Sequence, residues 1–215
     1  MKDESEIKSE QSQIINWRTD KSKIVSFFQR FNLDVSNIYD HILSIDYERM
    51  QVLFYLLGKI DKAVKICDFL DYLKINNNED VDVIKIYILV SHAEITSNNL
   101  KEKGIGVELV RKFFSPVESD LKYKIIPNYL SKTKIQKNIN FVDILYKIRC
   151  EYTHEGNYTG IIFKIEEDNV SNMFSFKDDK GKEFSGKCNI TYKEFLNIFM
   201  KALVENIKIF SEYKL

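Results

Sequence analysis

Two side chains in the stretch Phe141–Gly156, FVDILYKIRCEYTHEG, have types suited to phosphate chemistry: Arg149 and His154. A guanidinium stays protonated and can clamp phosphate oxygens as charge builds on them. An unperturbed imidazole titrates near pH ~6.5, so it can take or give a proton under cellular conditions. Glu151 and Glu155 are close enough in sequence to orient the imidazole, though their charge opposes a phosphate. Cys150 directly follows the arginine.

Positioning falls to the helix that carries them. Phe141, Leu145, Ile148 and Tyr152 recur at helical spacing and form one apolar stripe, and Gly156 is placed to cap the C-terminal end. Residues five apart on a regular α-helix differ by about 140° in direction and about 7.5 Å in height. Arg149 and His154 therefore do not share a face. They meet at one phosphate only if the helix frays or bulges, if the arginine wraps round, or if two copies of the chain combine their pairs.

An arginine, four residues and then a histidine, on an apolar helix that stops in His154-Glu155-Gly156, resembles the signature of the HEPN superfamily. The resemblance is confined to Phe141–Gly156. It implies a small helical bundle, many of whose relatives are metal-independent ribonucleases of toxin, phage-defence and CRISPR-associated systems. It also implies a symmetric homodimer in which both copies of the motif line one cleft, as an isologous interface about a twofold axis allows. RNA supplies its own nucleophile, the 2′-hydroxyl, so cleavage by Arg149 and His154 needs neither metal nor cofactor and leaves a 2′,3′-cyclic phosphate. The chain departs from the pattern at Cys150, where active members usually carry Asn, Asp or His. Such enzymes are commonly held silent by a partner protein or switched on by a signal.

The 215 residues include 32 Lys+Arg and 32 Asp+Glu, a net charge of zero, which argues against gripping nucleic acid by bulk electrostatics while leaving room for a local basic cleft. Only 2 Pro and 7 Gly favour helices over a turn-rich β fold. No apolar run reaches the roughly 18–20 residues of a membrane span, and the charged start MKDESEIKSE does not read as a signal peptide. Cys67, Cys150 and Cys188 stand far apart without a CxxC pair, as expected of reduced thiols in a cytoplasmic protein. With His41 and His92 equally scattered, no metal site is expected.

In chain order, residues 1–23 read as a polar tail containing Trp17, and 24–215 as one mainly α domain. Helices are expected at 24–31 and 35–43. A long helix follows over 46–75, with Leu53, Leu57, Ile60, Val64 and Cys67 as its seam. The next carries Val83, Ile86, Tyr87, Val90 and Ala93 inward, with His92 and Glu94 near its end, either as ordinary partly buried groups or as support for the motif helix. Gly104-Ile105-Gly106 reads as a loop, followed by a helix over 107–114 that stops before Pro116. The most basic stretch, 121–140, holds Lys122, Lys124, Tyr129, Lys132, Lys134 and Lys137, a funnel and stacking platform for single-stranded RNA or simply a solvated loop. After the motif, 159–165, 173–177 and 183–190 read as a three-stranded antiparallel meander inserted at about 159–190. Thr191-x-x-Glu194 is a capping box opening a last helix with Phe195, Phe199, Ala202 and Phe210 inward.

Two functions stay open on this reading. One is a HEPN-type endoribonuclease that binds RNA as a homodimer and acts as a toxin or defence effector. The other is a non-catalytic HEPN-like module that binds a partner protein or a nucleotide. A Cys150/His154 thiol enzyme is a third, but it lacks an orienting residue and an oxyanion site.

Overall fold

Apolar residues at three- and four-residue spacing dominate the chain, and the computed structural model is accordingly mainly helical. The structure describes residues 21–33, 38–73, 80–100, 103–122, 124–127, 140–155, 163–164, 172–177 and 183–212. Packing groups them into two units, one of residues 1–66 and 200–215 and one of residues 67–199. Trp17 lies outside the described residues.

The first unit holds α1 (Lys21–Gln29), α2 (Ile38–Ser44), most of α3 (Tyr47–Leu73) and the C-terminal part of α8 (Tyr192–Glu212). Helix α3 begins where Asp46 accepts the Arg49 N–H through Oδ1 at 2.9 Å, an N-cap that satisfies one orphan donor. Leu53, Leu57, Ile60 and Val64 are all buried, as the seam requires. Arg49 then donates to the Phe210 carbonyl and lays its guanidinium 4.1 Å from the centre of the Phe210 ring, tying α3 to the last turns of α8.

The second unit contains α4 (Asp80–Asn99), α5 (Val107–Phe114), a 3-10 turn (Ser115–Val117), α6 (Glu118–Leu121) and α7 (Phe141–Glu155). Helices α4, α5 and α7 pack against one another. Aromatic side chains from distant parts of the sequence fill this core. Phe113 lies 4.9 Å from Phe199, and Phe163 stacks on Phe195 at 5.5 Å. The box at Thr191 forms as its spacing predicts: Thr191 N–H donates to Glu194 Oε2 at 2.8 Å, and Glu194 N–H to Thr191 Oγ1 at 3.1 Å.

The described strands form a three-stranded antiparallel sheet, but not a meander of consecutive strands. Strands β2 (Asn172–Lys177) and β3 (Glu183–Cys188) pair from Asn172↔Cys188 to Lys177↔Glu183. The third strand is β1 (Ile125–Pro127), from before the motif helix, paired with β3 on its other side. Of the strand expected at 159–165, only Phe163 and Lys164 are described, and they belong to none. The reason is local. The Phe163 N–H donates to Asp82 Oδ2 at 3.1 Å and the ring is buried, so that backbone donor is lost to a ladder. Pro127, which has no N–H to offer, sits on an edge strand.

The Asp82 carboxylate belongs to a buried ionic cluster. Lys85 and Asp82 both have fully buried side chains, and Lys85 Nζ lies 2.8 Å from Asp82 Oδ1 and 2.5 Å from Asp71 Oδ1. The ammonium is also 4.1 Å from the Tyr192 ring centre. Around it, burial pushes the Cys67 thiol up to about 12 and the Cys188 thiol up to about 11. All three cysteines are free.

Two outcomes follow for stability. Lys85→Ala strands a buried carboxylate and should cost about 3–5 kcal/mol in urea unfolding, whereas Arg111→Ala, which removes an exposed ion pair, should cost about 1 kcal/mol or less. The native state also retains thiol protons that the unfolded chain releases. Stability should therefore be full below the ordinary thiol range and fall as pH rises toward the native values of Cys67 and Cys188. Replacing both cysteines by alanine should flatten that alkaline slope in urea titrations.

Candidate active site

Helix α7 is held at both ends of its buried stripe. At the N-terminus Asn140 Oδ1 accepts the Val142 N–H at 2.9 Å, a cap that the sequence reading did not single out. One turn in, Arg111 of α5 grips Asp143 with a two-bond fork, Nε to Oδ1 at 2.7 Å and Nη2 to Oδ2 at 2.8 Å. That carboxylate raises the pKa of Arg111 above its ordinary value. Phe141, Leu145 and Ile148 are buried as expected, together with Val142 and Ile144. Tyr152 is only half-buried, its ring 5.1 Å from that of Tyr87 on α4.

The same α4–α7 packing places Arg149. Its Nη2 lies 3.0 Å from Glu94 Oε2, with the two side chains 25% and 21% exposed. Arg149 Cζ stands 5.7 Å from the centre of the Tyr146 ring, one turn back on α7. Partial burial first, and then a hydrogen bond shared with Cys150, push the Tyr146 phenol up to about 12. On its far side Tyr146 approaches Gly106, whose φ of +53° and lack of a side chain leave room for the phenol oxygen. Glu94, one of two supporting groups weighed from sequence, thus reaches the arginine. Tyr146 was missed, although its places three before Arg149 and four before Cys150 mark it as their neighbour on one helical face.

His154 is exposed in the last turn of α7. The helix is unbroken from Phe141 through Glu155, and Thr153 Oγ1 donates to the Arg149 carbonyl at 2.7 Å within that turn. The chain neither frays nor bulges between Arg149 and His154, and among the described residues no hydrogen bond or ion pair joins them. Glu151 pairs with Lys147, 3.7 Å away on its own helix, and Glu155 ends the helix. Gly156 lies outside the described residues.

Of the basic stretch, Lys122 is exposed after α6, and Lys124 Nζ lies 3.4 Å from Glu194 Oε1. Burial works against the Glu194 charge, but the Thr191 N–H and Lys124 outweigh it and hold that carboxyl below its usual range. Tyr129, Lys132, Lys134 and Lys137 lie outside the described residues. Among the described residues, no three His, Cys, Asp or Glu side chains gather to hold a metal ion. None of the described helices is long and apolar enough to cross a membrane.

Chemically, the arrangement offers a guanidinium paired on its inner side, a thiol and a phenol neighbouring on one helical face, and a separate exposed imidazole. A thiol reagent applied to the native protein should modify half-buried Cys150 first and spare Cys67 and Cys188 until unfolding, read by mass spectrometry of the labelled peptides. Comparison with family models, curated proteins and solved structures finds no match for this chain.

Proposed function

We propose that this chain is a HEPN-type endoribonuclease that cuts RNA without a metal, in a site shared between two copies of α7. The observation that carries the reading is the unbroken helix with half-exposed Arg149 and exposed His154 near its end. A single regular helix presents the two groups about 140° apart. A second copy of the same helix end, related by a twofold axis, supplies the missing partner for each.

In such a cleft one His154 takes the 2′-hydroxyl proton as the 2′-oxygen attacks the adjacent phosphorus. The 5′-oxygen leaves and receives a proton from the other His154, giving a 2′,3′-cyclic phosphate and a 5′-hydroxyl. Arg149 stabilises the charge on the phosphorus oxygens in the transition state. Lys122 extends the positive surface for the RNA strand, and the lysines and Tyr129 of 128–139 are assigned the same role. Free thiols accord with a reducing cytoplasm, and a growth-arresting or defence effector held by a regulatory protein is the wider role we assign.

The Glu94–Arg149 pair and the Tyr146–Cys150 contact favour a second reading, a helical module that binds a protein or nucleotide without catalysis, because both interactions engage side chains that catalysis would need free. The two readings separate in one experiment, incubation of total RNA with purified protein in EDTA. The ribonuclease reading expects cleavage with cyclic-phosphate ends by wild type and none by Arg149→Ala or His154→Ala alone. Mixing those two variants should not restore cleavage, because every mixed dimer holds a single His154 where the reaction uses one as base and the other as acid. No cleavage by wild type supports the binding module. Cleavage by the single variants places the chemistry elsewhere.

A further inference from the structure

We infer that Glu94 is the positioning residue of this site, acting through Arg149 and weakening RNA binding in order to place the guanidinium. The inference rests on the ribonuclease reading above. It starts from how the arginine is held. Nη2 of Arg149 lies 3.0 Å from Glu94 Oε2, and the Arg149 Nε and that same carboxylate oxygen are both enclosed by protein. The donors left to an incoming anion are therefore the terminal Nη groups. The Tyr146 ring adds a second boundary, 5.7 Å from Arg149 Cζ, and the close approach of Gly106 confines the Tyr146 phenol. These contacts restrict a long side chain with many rotamers and turn its inner edge to Glu94.

Charge decides the sign of the effect. Glu94 offsets the arginine's charge at close range, and Glu151, exposed to a similar degree, lies one helical turn along α7 from Lys147. A ground-state phosphodiester carries a single negative charge and is drawn only weakly to a guanidinium already paired with a carboxylate. The pentacoordinate transition state gathers more charge on the same oxygens and gains more from a donor fixed in place. Glu94 thus costs affinity and contributes to the chemical step. A residue that merely supported the fold would lower apparent kcat in step with the fraction of folded protein and leave KM unchanged.

The test is steady-state cleavage of a short single-stranded RNA by wild type, Glu94→Gln, Glu94→Ala and Glu94→Asp, with thermal melting recorded for each. Glu94→Gln and Glu94→Ala remove the charge. They should lower kcat by about tenfold or more, through a loosened arginine, while KM falls about two- to fivefold. Glu94→Asp keeps the charge but is one methylene too short, so kcat should fall without a drop in KM. Wild-type kcat in the glutamine and alanine variants, or a loss that tracks the melted fraction, overturns the inference and leaves the ribonuclease reading standing. Absence of cleavage by wild type removes both.

Discussion

A lysine with its charge buried between two aspartates is the constraint on which the second unit depends. Taking an ammonium out of water costs several kcal/mol, and the cost is offset only where geometry is close and every partner is satisfied. Lys85 meets that demand through Asp82 and Asp71, and through the face of Tyr192. Asp82 spends its other oxygen on the Phe163 backbone. The last turns of α3, the first turns of α4, the segment at Phe163 and the start of α8 are thus bound to one point charge. Alternative packings of the same apolar surface would leave that charge unpaired, so the cluster selects among arrangements that hydrophobic burial alone would accept.

The candidate site is built outward from this core along α4. Asp82 and Lys85 occupy the N-terminal half of the helix and face the interior; Glu94 lies three turns on, at the surface where α7 crosses. Rigidity at one end of a helix gives the other a defined position, which a charged side chain needs if it is to orient an arginine. The Arg111–Asp143 fork performs the matching task for α7, fixing its first turn against α5 while the buried stripe fixes its rotation. What remains free is the helix end that carries His154. Within the chain the candidate site has an arginine paired with Glu94 and an imidazole open to solvent.

Much of the fold was legible because it is local. Seam residues of α3 and the inward phenylalanines of α8 follow helical periods that nothing elsewhere overrides, and Thr191 and Glu194 cap a helix through bonds three residues apart. Helix boundaries at Phe114 and Phe141 were readable for the same reason. Of the sheet, β2 and β3 were legible as neighbouring strands, but the third strand was not: it comes from before α7, and pairing across so long a stretch leaves no periodic trace in either partner. Lys85 was equally hidden. A lysine and an aspartate three apart on an apolar helix read as a surface pair until the surrounding helices close over them.

For the candidate site, sequence alone determined the identities, the spacing and the helix: an arginine and a histidine five residues apart on an amphipathic segment, hence on different faces wherever the segment is helical. Only the tertiary structure decided which of the two is held and by what. Glu94 lies fifty-five positions before Arg149 and comes within 3.0 Å of it because α4 packs on α7. Helical periodicity arises from hydrogen bonds between residues four apart and is therefore written in the local sequence. The meeting of two helices arises from how all their apolar faces are buried at once, and no short stretch of the chain contains that information.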